Sequence, residues 1–305
     1  MGGIETSVEN LNMARTIEDA FDELVKRLQP SNLEYDKAAR HRSRVYSCLE
    51  RNFDCYRFFE TGSFGSGTGV RGYSDIDYFA VCKSRTLPDN SGYVLTRFRD
   101  ELRYTFHATE SIRVNTPAVR IEFGTFASEV LEIVPTCFLG FTNSSLGQKA
   151  YYSIPDYSGQ WVTASPEAHN AYVQLHNRRL NGRLKPLIQL LKAWKYFNNA
   201  EILSFYLELR ATKFAESKRY INYEQDFVRV LNVLSSNGLA RMQDPMGISG
   251  YVLPCKTDAK KDTAANKVAT ALERGNRAIE AMSKNKVDEA FRLWRLIFNY
   301  SFPAR

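Results

Sequence analysis

A glycine-rich segment runs directly into a pair of closely spaced aspartates in the first third of the 305-residue chain. Five glycines fall between residues 62 and 72, and Asp75 and Asp77 come next in the apolar run DIDYFAV. A run of this length and composition predicts a β-strand. The strand limits which phosphate-binding loop the glycines can form, because each kind of loop requires a particular element on its C-terminal side.

Two common phosphate-binding loops are excluded by the residues around these glycines. Residues 67–72 match the G-x-G-x-x-G dinucleotide fingerprint, but that fingerprint works only where a helix comes next and receives the pyrophosphate at its amino terminus. Here a strand comes next instead. Residues 62–68 resemble a Walker A loop, but the lysine that must reach the β- and γ-phosphates is missing.

The remaining interpretation joins Gly62 and Ser63 to the two aspartates as one triphosphate site. Gly62 lets the backbone approach a phosphate, and Ser63 adds a hydroxyl donor. Side chains two apart on a strand share a face, so Asp75 and Asp77 repel each other unless a cation lies between them. Magnesium prefers oxygen ligands and usually also binds substrate phosphates. The simpler alternative is a solvent-facing pair of aspartates at the start of a strand.

A site for two magnesium ions requires a third carboxylate on a neighbouring strand. The run VLEIVP supplies Glu132 in mid-strand with apolar flanks, which makes it the first candidate. Glu122 in RIEF and Glu129 are rivals, although Glu129 stands at the edge of its run and Glu122 is compatible with an ordinary solvated position. The sequence therefore predicts a metal site made by Asp75, Asp77 and Glu132.

Apolar patterning divides the chain into a helical start, a strand-rich middle and a helical second half. Residues 10–51 have helical periodicity with a break at 30–32. Short runs rich in aromatic and β-branched residues predict strands at 56–60, 75–81, 118–124 and 129–135, with a helix at 93–106. After residue 160, helical spacing predicts helices at 166–180, 184–198, 203–215, 223–236 and 286–298.

The expected fold class from this pattern is α+β, with an all-helical C-terminal lobe. The expected domains are 1–160, which holds the N-terminal helices and the strands, and 161–305, which holds the helical lobe. Residues 256–267 (KTDAKKDTAANK) form the most loop-like stretch.

Composition narrows the ligand class and the compartment. The five cysteines are scattered without a Cys-x-x-Cys pair and the four histidines form no ligand pattern, which argues against a disulfide framework and a zinc site. No run approaches the roughly 18 apolar residues of a membrane span, and the amino terminus lacks an apolar signal core, so a cytoplasmic protein is expected. A net charge of +7 and a pI near 9.1 permit polyanionic partners such as nucleotides.

The glycine–aspartate segment and the strand of Glu132 resemble those of the nucleotidyltransferase superfamily that includes DNA polymerase β. More narrowly, the chain resembles the bacterial cGAS/DncV-like nucleotidyltransferases (CD-NTases), which make cyclic oligonucleotide signals in anti-phage defence. The resemblance covers nearly the whole chain, through LLKAWKYFNN, LSFYLEL, QDPMG and AFRLWRLIFNYSFP. Four features narrow the resemblance from the superfamily to this family: Trp161, Pro166, His169 and the Phe-Pro pair near the end of the chain.

The resemblance implies a polymerase β-like core with a mixed sheet and an active site in the cleft beneath the helical lobe. At matching positions, Gly62 and Ser63 would hold the triphosphate, and Asp75 and Asp77 would bind two magnesium ions, for which manganese can substitute. Glu132 matches a third acid that is commonly Asp in the family. The side chain is therefore one methylene longer here, and the metal or the backbone must shift to accommodate it.

The resemblance also assigns roles to residues of the helical lobe. Lys192 matches a lysine that contacts donor phosphates, although the apolar stripe of its helix also allows a solvated position for Lys192 and Lys195. In LSFYLEL, Ser204 matches a phosphate contact and Tyr206 a residue that stacks on a base. Phe205 leaves that register ambiguous by one residue.

The expected function is the joining of nucleoside triphosphates into a cyclic di- or trinucleotide with release of pyrophosphate. Expected partners are nucleoside triphosphates (ATP, GTP or pyrimidine nucleotides) and regulatory or effector proteins of a defence operon, with no membrane. The Cys/His insertion of the animal enzyme is absent, so no requirement for long double-stranded DNA is implied. The alternatives are nucleotide addition to an RNA end or a protein hydroxyl, and a catalytically idle nucleotide-binding sensor.

Overall fold

The computed structural model describes residues 16–30, 32–73, 75–84, 87–124, 129–144 and 146–305, with the backbone alone for residues 32–40. Within these ranges, the helices are α1 (Ile17–Leu28), α2 (Asn32–Phe53), α3 (Gly62–Ser66), α4 (Ser91–Thr105), α5 (Pro166–Arg179), α6 (Leu184–Phe197), α7 (Ser204–Ala215), α8 (Tyr223–Ser236), α9 (Asp258–Ser283) and α10 (Val287–Ile297). The strands are β1 (Cys55–Thr61), β2 (Ile76–Cys82), β3 (Ser111–Asn115), β4 (Ala118–Phe123), β5 (Glu129–Ser144), β6 (Gly147–Pro155), β7 (Trp161–Ala164), β8 (Met242–Gln243) and β9 (Tyr251–Val252).

Seven of these strands form one mixed sheet. Its order is β1-β2-β5-β4-β3, and β6 and β7 continue from the second half of the long strand β5. Strands β2 and β5 pair in parallel and all other pairs are antiparallel. The connection from β2 to β5 runs through α4, β3 and β4, which places the two acid-bearing strands side by side at the centre of the sheet.

The two faces of the sheet have different chemistry because side chains alternate along each strand. One face sends Ile76, Tyr78, Leu131 and Ile133 into a core shared with α2 and α4. The alternate residues point to the opposite face. There the sheet is apolar at one end and carries acidic and basic side chains at the other, where the helical lobe lies across it.

The helical lobe has its own core, and α1 belongs to that core. Phe21 of α1 packs edge-to-face on Trp294 at a centroid distance of 4.8 Å, and both side chains are buried. The expected domain 1–160 assigned α1 to the sheet, but its apolar face is covered by helices from the other end of the chain. The sheet also continues past residue 160, because β7 pairs with β6.

Most predicted elements are confirmed, as is the expected α+β class with a mixed sheet and a helical C-terminal region. The helical break at 30–32 is confirmed, since α1 ends at Leu28 and α2 begins at Asn32. The part of the first predicted helix at 10–15 lies outside the described residues. No helix in the described ranges is both long and apolar enough to cross a membrane.

The prediction of a loop at 256–267 is wrong, because α9 begins at Asp258. The Thr257 side chain accepts a hydrogen bond from the backbone N–H of Lys260 at 3.3 Å, which caps the helix. Ala264 and Val268, four residues apart, are fully buried against the helical core. The polar composition of this segment describes the exposed face of a long helix that contributes mainly small residues to its buried face.

Candidate active site

A row of polar residues crosses the centre of the sheet at one level. The strand register places Thr61 opposite Asp77, Asp77 opposite Glu132, and Glu132 opposite Arg120. These residues point away from the α2–α4 core, since their neighbours along each strand enter it. Asp75 lies one step along the same face from Asp77. The fold thereby brings together the three acids that the sequence singles out.

Gly62 and Asp77 are in such close contact that no other residue fits at position 62 without movement. Gly62 has φ +60°, and a Cβ there would lie 1.8 Å from Asp77 Oδ2. The backbone N–H of Ser63 donates a hydrogen bond to the Asp77 carboxylate. The glycine-rich segment and the aspartates therefore form one unit, and the alternative of an unconnected solvent-facing pair is wrong.

The carboxylate of Asp77 is held in an environment that disfavours its negative charge. Burial, together with the nearby charges of Glu132 and Asp75, raises its pKa to about 8. Lys192 and the N–H of Ser63 oppose the shift without cancelling it. Burial also raises the pKa of Asp75, against the opposing charge of Arg120.

Arg120 contacts two acids of the row, Asp75 and Glu132. It was not identified as a site residue from the sequence. Its guanidinium contacts Asp75, lies 3.2 Å from Glu132 Oε1, and donates from Nε to Glu122 Oε1 at 2.8 Å. Glu132 Oε1 also accepts a hydrogen bond from Asn115 Nδ2 at 2.7 Å. One cation therefore joins three acids, which lie on β4, on β5 and just before β2.

The rival acids take other positions. Glu122 lies one step along β4 from Arg120 and pairs with Arg113 at 2.7 Å, and its arginine partners lower its pKa to about 2. Glu129 is three residues before Glu132 on β5, so the two side chains point to opposite faces. Glu129 is buried with His41 at 3.7 Å. Only Glu132 of the three stands beside Asp77 in the strand register.

Lys192 is buried behind this site and is not solvated. Its Nζ lies 2.6 Å from Glu208 Oε2, 2.7 Å from Thr68 Oγ1 and 3.4 Å from the Thr68 carbonyl oxygen. The Thr68 hydroxyl donates to the same Glu208 oxygen at 2.6 Å. Gln189, one turn earlier on α6, donates to the Gly69 carbonyl at 2.7 Å. The solvated alternative for Lys192 is wrong, because α6 is covered by the glycine-rich segment on this side.

Ser204 lies next to Lys195 at the mouth of the cleft. Lys195 Nζ donates to Ser204 Oγ at 2.7 Å and lies 4.6 Å from the centre of the Tyr196 ring. The Tyr196 hydroxyl is 3.1 Å from the same serine oxygen. Burial raises the pKa of Tyr196, and the charges of Asp75, Asp77 and Glu132 add to this shift. The Tyr196 ring stacks on that of Tyr73, two residues before Asp75, at a centroid distance of 5.1 Å.

Tyr206 is a core residue, and the structure does not place it where a base could stack. It is fully buried in the helical core, and its hydroxyl donates to the Ala240 carbonyl at 2.7 Å. Phe205, the neighbouring register that the sequence left open, is 40% exposed. Its ring packs edge-to-face on His169 at 4.9 Å. Helix α7 begins at Ser204, so Phe205 and Tyr206 point to different sides of the helix. The order of residues in LSFYLEL does not show which of the two rings is exposed.

His169, one of the family-specific residues, anchors a turn beneath the Phe205 ring. Its Nε2 lies 3.0 Å from both carboxylate oxygens of the fully buried Asp244. Backbone N–H groups of residues 246, 248 and 249 donate to that carboxylate at 2.8–3.0 Å. Asp244 belongs to the QDPMG motif, whose role is therefore to hold this turn against α5.

The donor set on the acidic row has the chemistry of a magnesium site. Three carboxylates lie on adjacent positions of the sheet, and burial, with the charges of Glu132 and Asp75, raises the pKa of Asp77. In the described part of the chain, no three His, Cys, Asp or Glu side chains converge on one point. Arg120 contacts Asp75 and Glu132 in this arrangement. Carboxylate oxygens are the ligands that magnesium prefers, but they do not converge in this arrangement, and Arg120 would have to release Asp75 and Glu132 for both to bind an ion.

Three further polar residues belong to the site although motif analysis missed them. Arg120 and Asn115 touch Glu132, and Lys195 touches Ser204. The period-two spacing of Arg120 and Glu122 was a usable signal, because it places both on one face of β4. Asn115 and Lys195 depend on strand pairing and helix rotation, which leave no local signal in the sequence.

Comparison with known proteins agrees with this arrangement. Residues 15–177 match the Second Messenger Oligonucleotide or Dinucleotide Synthetase domain, which is more than half of the chain. The chain therefore belongs to this family of nucleotidyltransferases, and the resemblance to CD-NTases is confirmed.

Two curated relatives carry related descriptions. The chain is 27% identical over 188 residues to a probable cyclic nucleotide synthase of Bacillus cereus strain VD146, an alignment that covers 61% of this chain and 55% of that protein. It therefore spans little more than half the length of that relative. It is 24% identical over 315 residues to a cyclic AMP-AMP-AMP synthase of Acinetobacter sp. strain ATCC 27244 / 9458, which covers 94% of this chain and 86% of the relative.

Solved structures show the same fold. CdnC of E. coli MS115-1 with ATP superposes with a TM-score of 0.73 at 17% identity, covering 94% of this chain and 99% of that one. The same E. coli protein in complex with HORMA-deltaN superposes with a TM-score of 0.71 at 18% identity, covering 94% and 98%.

Proposed function

We propose that this chain joins nucleoside triphosphates through phosphodiester bonds and closes them into a cyclic oligonucleotide second messenger. The observation that carries the proposal is the row of Asp77 and Glu132 with Asp75, built against Gly62 and facing a lysine-bearing helix. Membership of the second-messenger synthetase family supports this reaction class. The relatives described as cyclic nucleotide synthases support a cyclic product.

Asp75, Asp77 and Glu132 would hold magnesium, with manganese able to substitute. When bound, the ions supply a lowered pKa for the attacking ribose hydroxyl and stabilisation for the departing pyrophosphate. Gly62 and Ser63 bring backbone against the phosphates, and the close contact of Gly62 with Asp77 keeps both on one side of the cleft. The Glu132 carboxylate, one methylene further from its strand than that of an Asp, accepts hydrogen bonds from Asn115 and Arg120, and the Arg120 bond would have to break for Glu132 to bind an ion.

In the proposed reaction, the side chains of this protein position the reacting groups and stabilise charge on the phosphates. Phosphoryl transfer spreads charge over the phosphoryl oxygens, so catalysis depends chiefly on aligned groups and fixed charges. Ser204, which accepts a hydrogen bond from Lys195 in the helical lobe, would contact the triphosphate. The exposed ring of Phe205 is the side chain of LSFYLEL that is accessible for stacking on a base, in place of Tyr206.

The substrates we propose are nucleoside triphosphates, which fits a cleft with acids on one wall and lysines on the other. A structural relative has been solved with ATP, and the same relative with HORMA-deltaN, which supports a regulatory protein partner for this chain. We place the activity in the reducing cytoplasm, because the five cysteines are all buried and unpaired. Anti-phage signalling is the biological role that the family resemblance favours.

The test is synthesis from four labelled nucleoside triphosphates with magnesium or manganese, followed by phosphatase treatment. Asp77→Asn is the inactive comparison, and Asp100→Asn, an exposed acid on α4, is the matched control. A phosphatase-resistant product that Asp77→Asn loses and Asp100→Asn retains establishes the reaction, and its label pattern names the bases.

Other products decide between the alternatives. Phosphatase-sensitive linear chains, or label on an added RNA or protein, would replace the proposal with end addition. No product with or without a partner protein, together with intact ATP binding, would leave the idle-sensor interpretation in its place.

A further inference from the structure

Lys192 and Lys195, one turn apart on α6, have different surroundings: Lys192 contacts the glycine-rich segment, and Lys195 contacts Ser204 on α7. Lys192 has three acceptors for its three N–H groups: Glu208 Oε2, Thr68 Oγ1 and the Thr68 carbonyl. Its side chain is 2% exposed. A phosphate could reach Lys192 only by displacing a buried carboxylate from its ion pair, which is costly.

Lys195 has one hydrogen-bond acceptor, the hydroxyl of Ser204 at 2.7 Å. An ammonium has three N–H groups, so two remain for another acceptor. Among the described residues, no carboxylate lies within ion-pair distance of Lys195 Nζ. Burial lowers its pKa to about 8, as expected for a cation held in the fold without a bonded anion.

The position of Lys195 matches the path of a triphosphate. The ring of Tyr196, the residue after Lys195, stacks on Tyr73, which lies two residues before Asp75, and the charge of Lys195 interacts with that of Asp75. Lys256 approaches from another part of the helical lobe and lies 3.4 Å from Asn115, the partner of Glu132. The cleft is therefore acidic on the sheet side and basic on the helical side.

We infer that Lys195, with the hydroxyls of Ser204 and Tyr196, binds the triphosphate of the bound nucleotide, and that Lys192 instead fixes the glycine-rich segment to the helical lobe. This assignment rests on the proposed function. It differs from the assignment that the family resemblance implies, in which Lys192 contacts the phosphates. An arriving triphosphate supplies the anion that Lys195 lacks and leaves the Lys192–Glu208 pair intact.

The experiment measures binding of adenosine 5′-(α,β-methylene)triphosphate with magnesium by calorimetry, so that no turnover is needed. Lys195→Met is expected to weaken binding by about tenfold or more, because a charged hydrogen bond is lost, and Lys195→Arg to restore much of it. The control is Lys213→Met. Lys213 is an exposed lysine on α7 that pairs with Glu216, and this variant should bind the analogue with the affinity of the parent protein.

A second measurement separates the two lysines. Lys192→Met is expected to lower the free energy of unfolding, whereas Lys195→Met is expected to leave it unchanged or raise it, since a cation without a bonded anion is removed. If Lys195→Met binds the analogue with the affinity of the parent, the assignment of Lys195 is overturned. If the parent protein itself binds no triphosphate, both the proposed function and the assignment of Lys195 are wrong.

Discussion

Gly62 and Asp77 share one space: a Cβ on residue 62 would lie 1.8 Å from Asp77 Oδ2 and 2.5 Å from its Cγ. Asp77 sits on the central strand β2, and its backbone is fixed on both sides by pairing with Thr61 and Glu132. Rotation of the carboxylate would not relieve the contact, because the Cβ of Asp77, which the backbone fixes, would itself lie 2.8 Å from the added Cβ. The glycine is therefore a steric condition for the position of the carboxylate.

Gly62→Ala is expected to reduce nucleotide joining by at least about a hundredfold, because the methyl group displaces the Asp77 carboxylate, and small misplacements of reacting groups are costly in enzymes. The measurement is the initial rate of pyrophosphate release. Gly72→Ala is the matched control. Gly72 also has a positive φ, +74°, but a Cβ there meets nothing within 4 Å. Both variants carry the backbone strain of a left-handed Ala, about 1–2 kcal/mol, so equal losses of activity would contradict the steric argument.

Asp77→Asn is expected to abolish activity while leaving the fold at least as stable at pH 7. Because its pKa is raised to about 8 in the fold, the Asp77 carboxyl must take up a proton on folding at pH 7, and an uncharged Asn avoids that free-energy cost. The Asn carbonyl can still accept the Ser63 N–H. The measurement is thermal unfolding in EDTA alongside the rate with magnesium. A large drop in melting temperature would show that Asp77 is a structural residue, and retained activity would show that it is not part of the site.

The buried pair of Lys192 and Glu208 is open to a double-mutant cycle. Glu208→Leu leaves Lys192 as an uncompensated buried charge and should cost about 3–5 kcal/mol of unfolding free energy. Lys192→Met should cost a similar amount for the same reason. The double variant should recover most of the loss, because both charges are gone. Urea denaturation gives the three free energies.

Simple additivity of the two single changes would contradict the proposed coupling. The exposed pair of Lys260 and Glu201, 2.6 Å apart, is the control, and its cycle should show a coupling below about 1 kcal/mol.

The acidic row was predictable because it depends on local rules. Period-two alternation puts Asp75 and Asp77 on one face of a strand, and an acid with apolar flanks, Glu132, marks a neighbouring central strand. The strands that carry them were predicted from aromatic and β-branched composition. The strands β3, β6 and β7 were missed, since their composition is more polar and their pairing with distant strands defines them.

The positions of Lys192 and Tyr206 could not be predicted, because they depend on the segments that cover the helices. An apolar stripe on α6 predicts one buried face, but Lys192 and Gln189 are buried on the other by the glycine-rich segment. Tyr206 is buried for a similar reason, since α7 packs in the centre of the helical lobe. A motif gives the order of residues, whereas burial depends on three-dimensional neighbours far away in the chain.

Asp244 is expected to control the acid stability of the helical lobe. Burial alone would raise its pKa, but His169 and backbone N–H groups hold that pKa well below the usual range. A group whose pKa is lowered by folding stabilises the protein above its ordinary pKa, near 4, and this contribution is lost as the pH falls below that value. Asp244→Asn should cost about 2 kcal/mol or more at pH 7 and flatten the pH dependence between about 5 and 2.

The control for this prediction is Asp156→Asn. Asp156 also accepts backbone N–H groups, from Ser158 and Gln160 at 2.8 Å each, but it is only partly buried, beside a turn. Denaturation curves at several pH values should therefore show a much smaller loss. An unchanged pH dependence in Asp244→Asn would contradict the role of the carboxylate.

The affinity for a triphosphate is expected to fall as the pH rises through about 8. Burial and the charge of Lys192 lower the pKa of Lys195 to that value in the free protein, while Asp75 and Cys255 oppose the shift and Lys256 adds to it. Only the charged ammonium attracts phosphate, and bound phosphate raises the pKa of the lysine. Affinity is therefore full below pH 8 and decreases by up to about tenfold per pH unit above it. Calorimetric titrations of the methylene analogue from about pH 6.5 to about 9.5 measure this in the Asp77→Asn background, which removes the other group with a pKa of about 8. In that background Lys195→Arg, which stays charged throughout, should remove the decrease. A decrease of the same size in Lys195→Arg would assign the titration to another group and contradict the phosphate-binding role of Lys195.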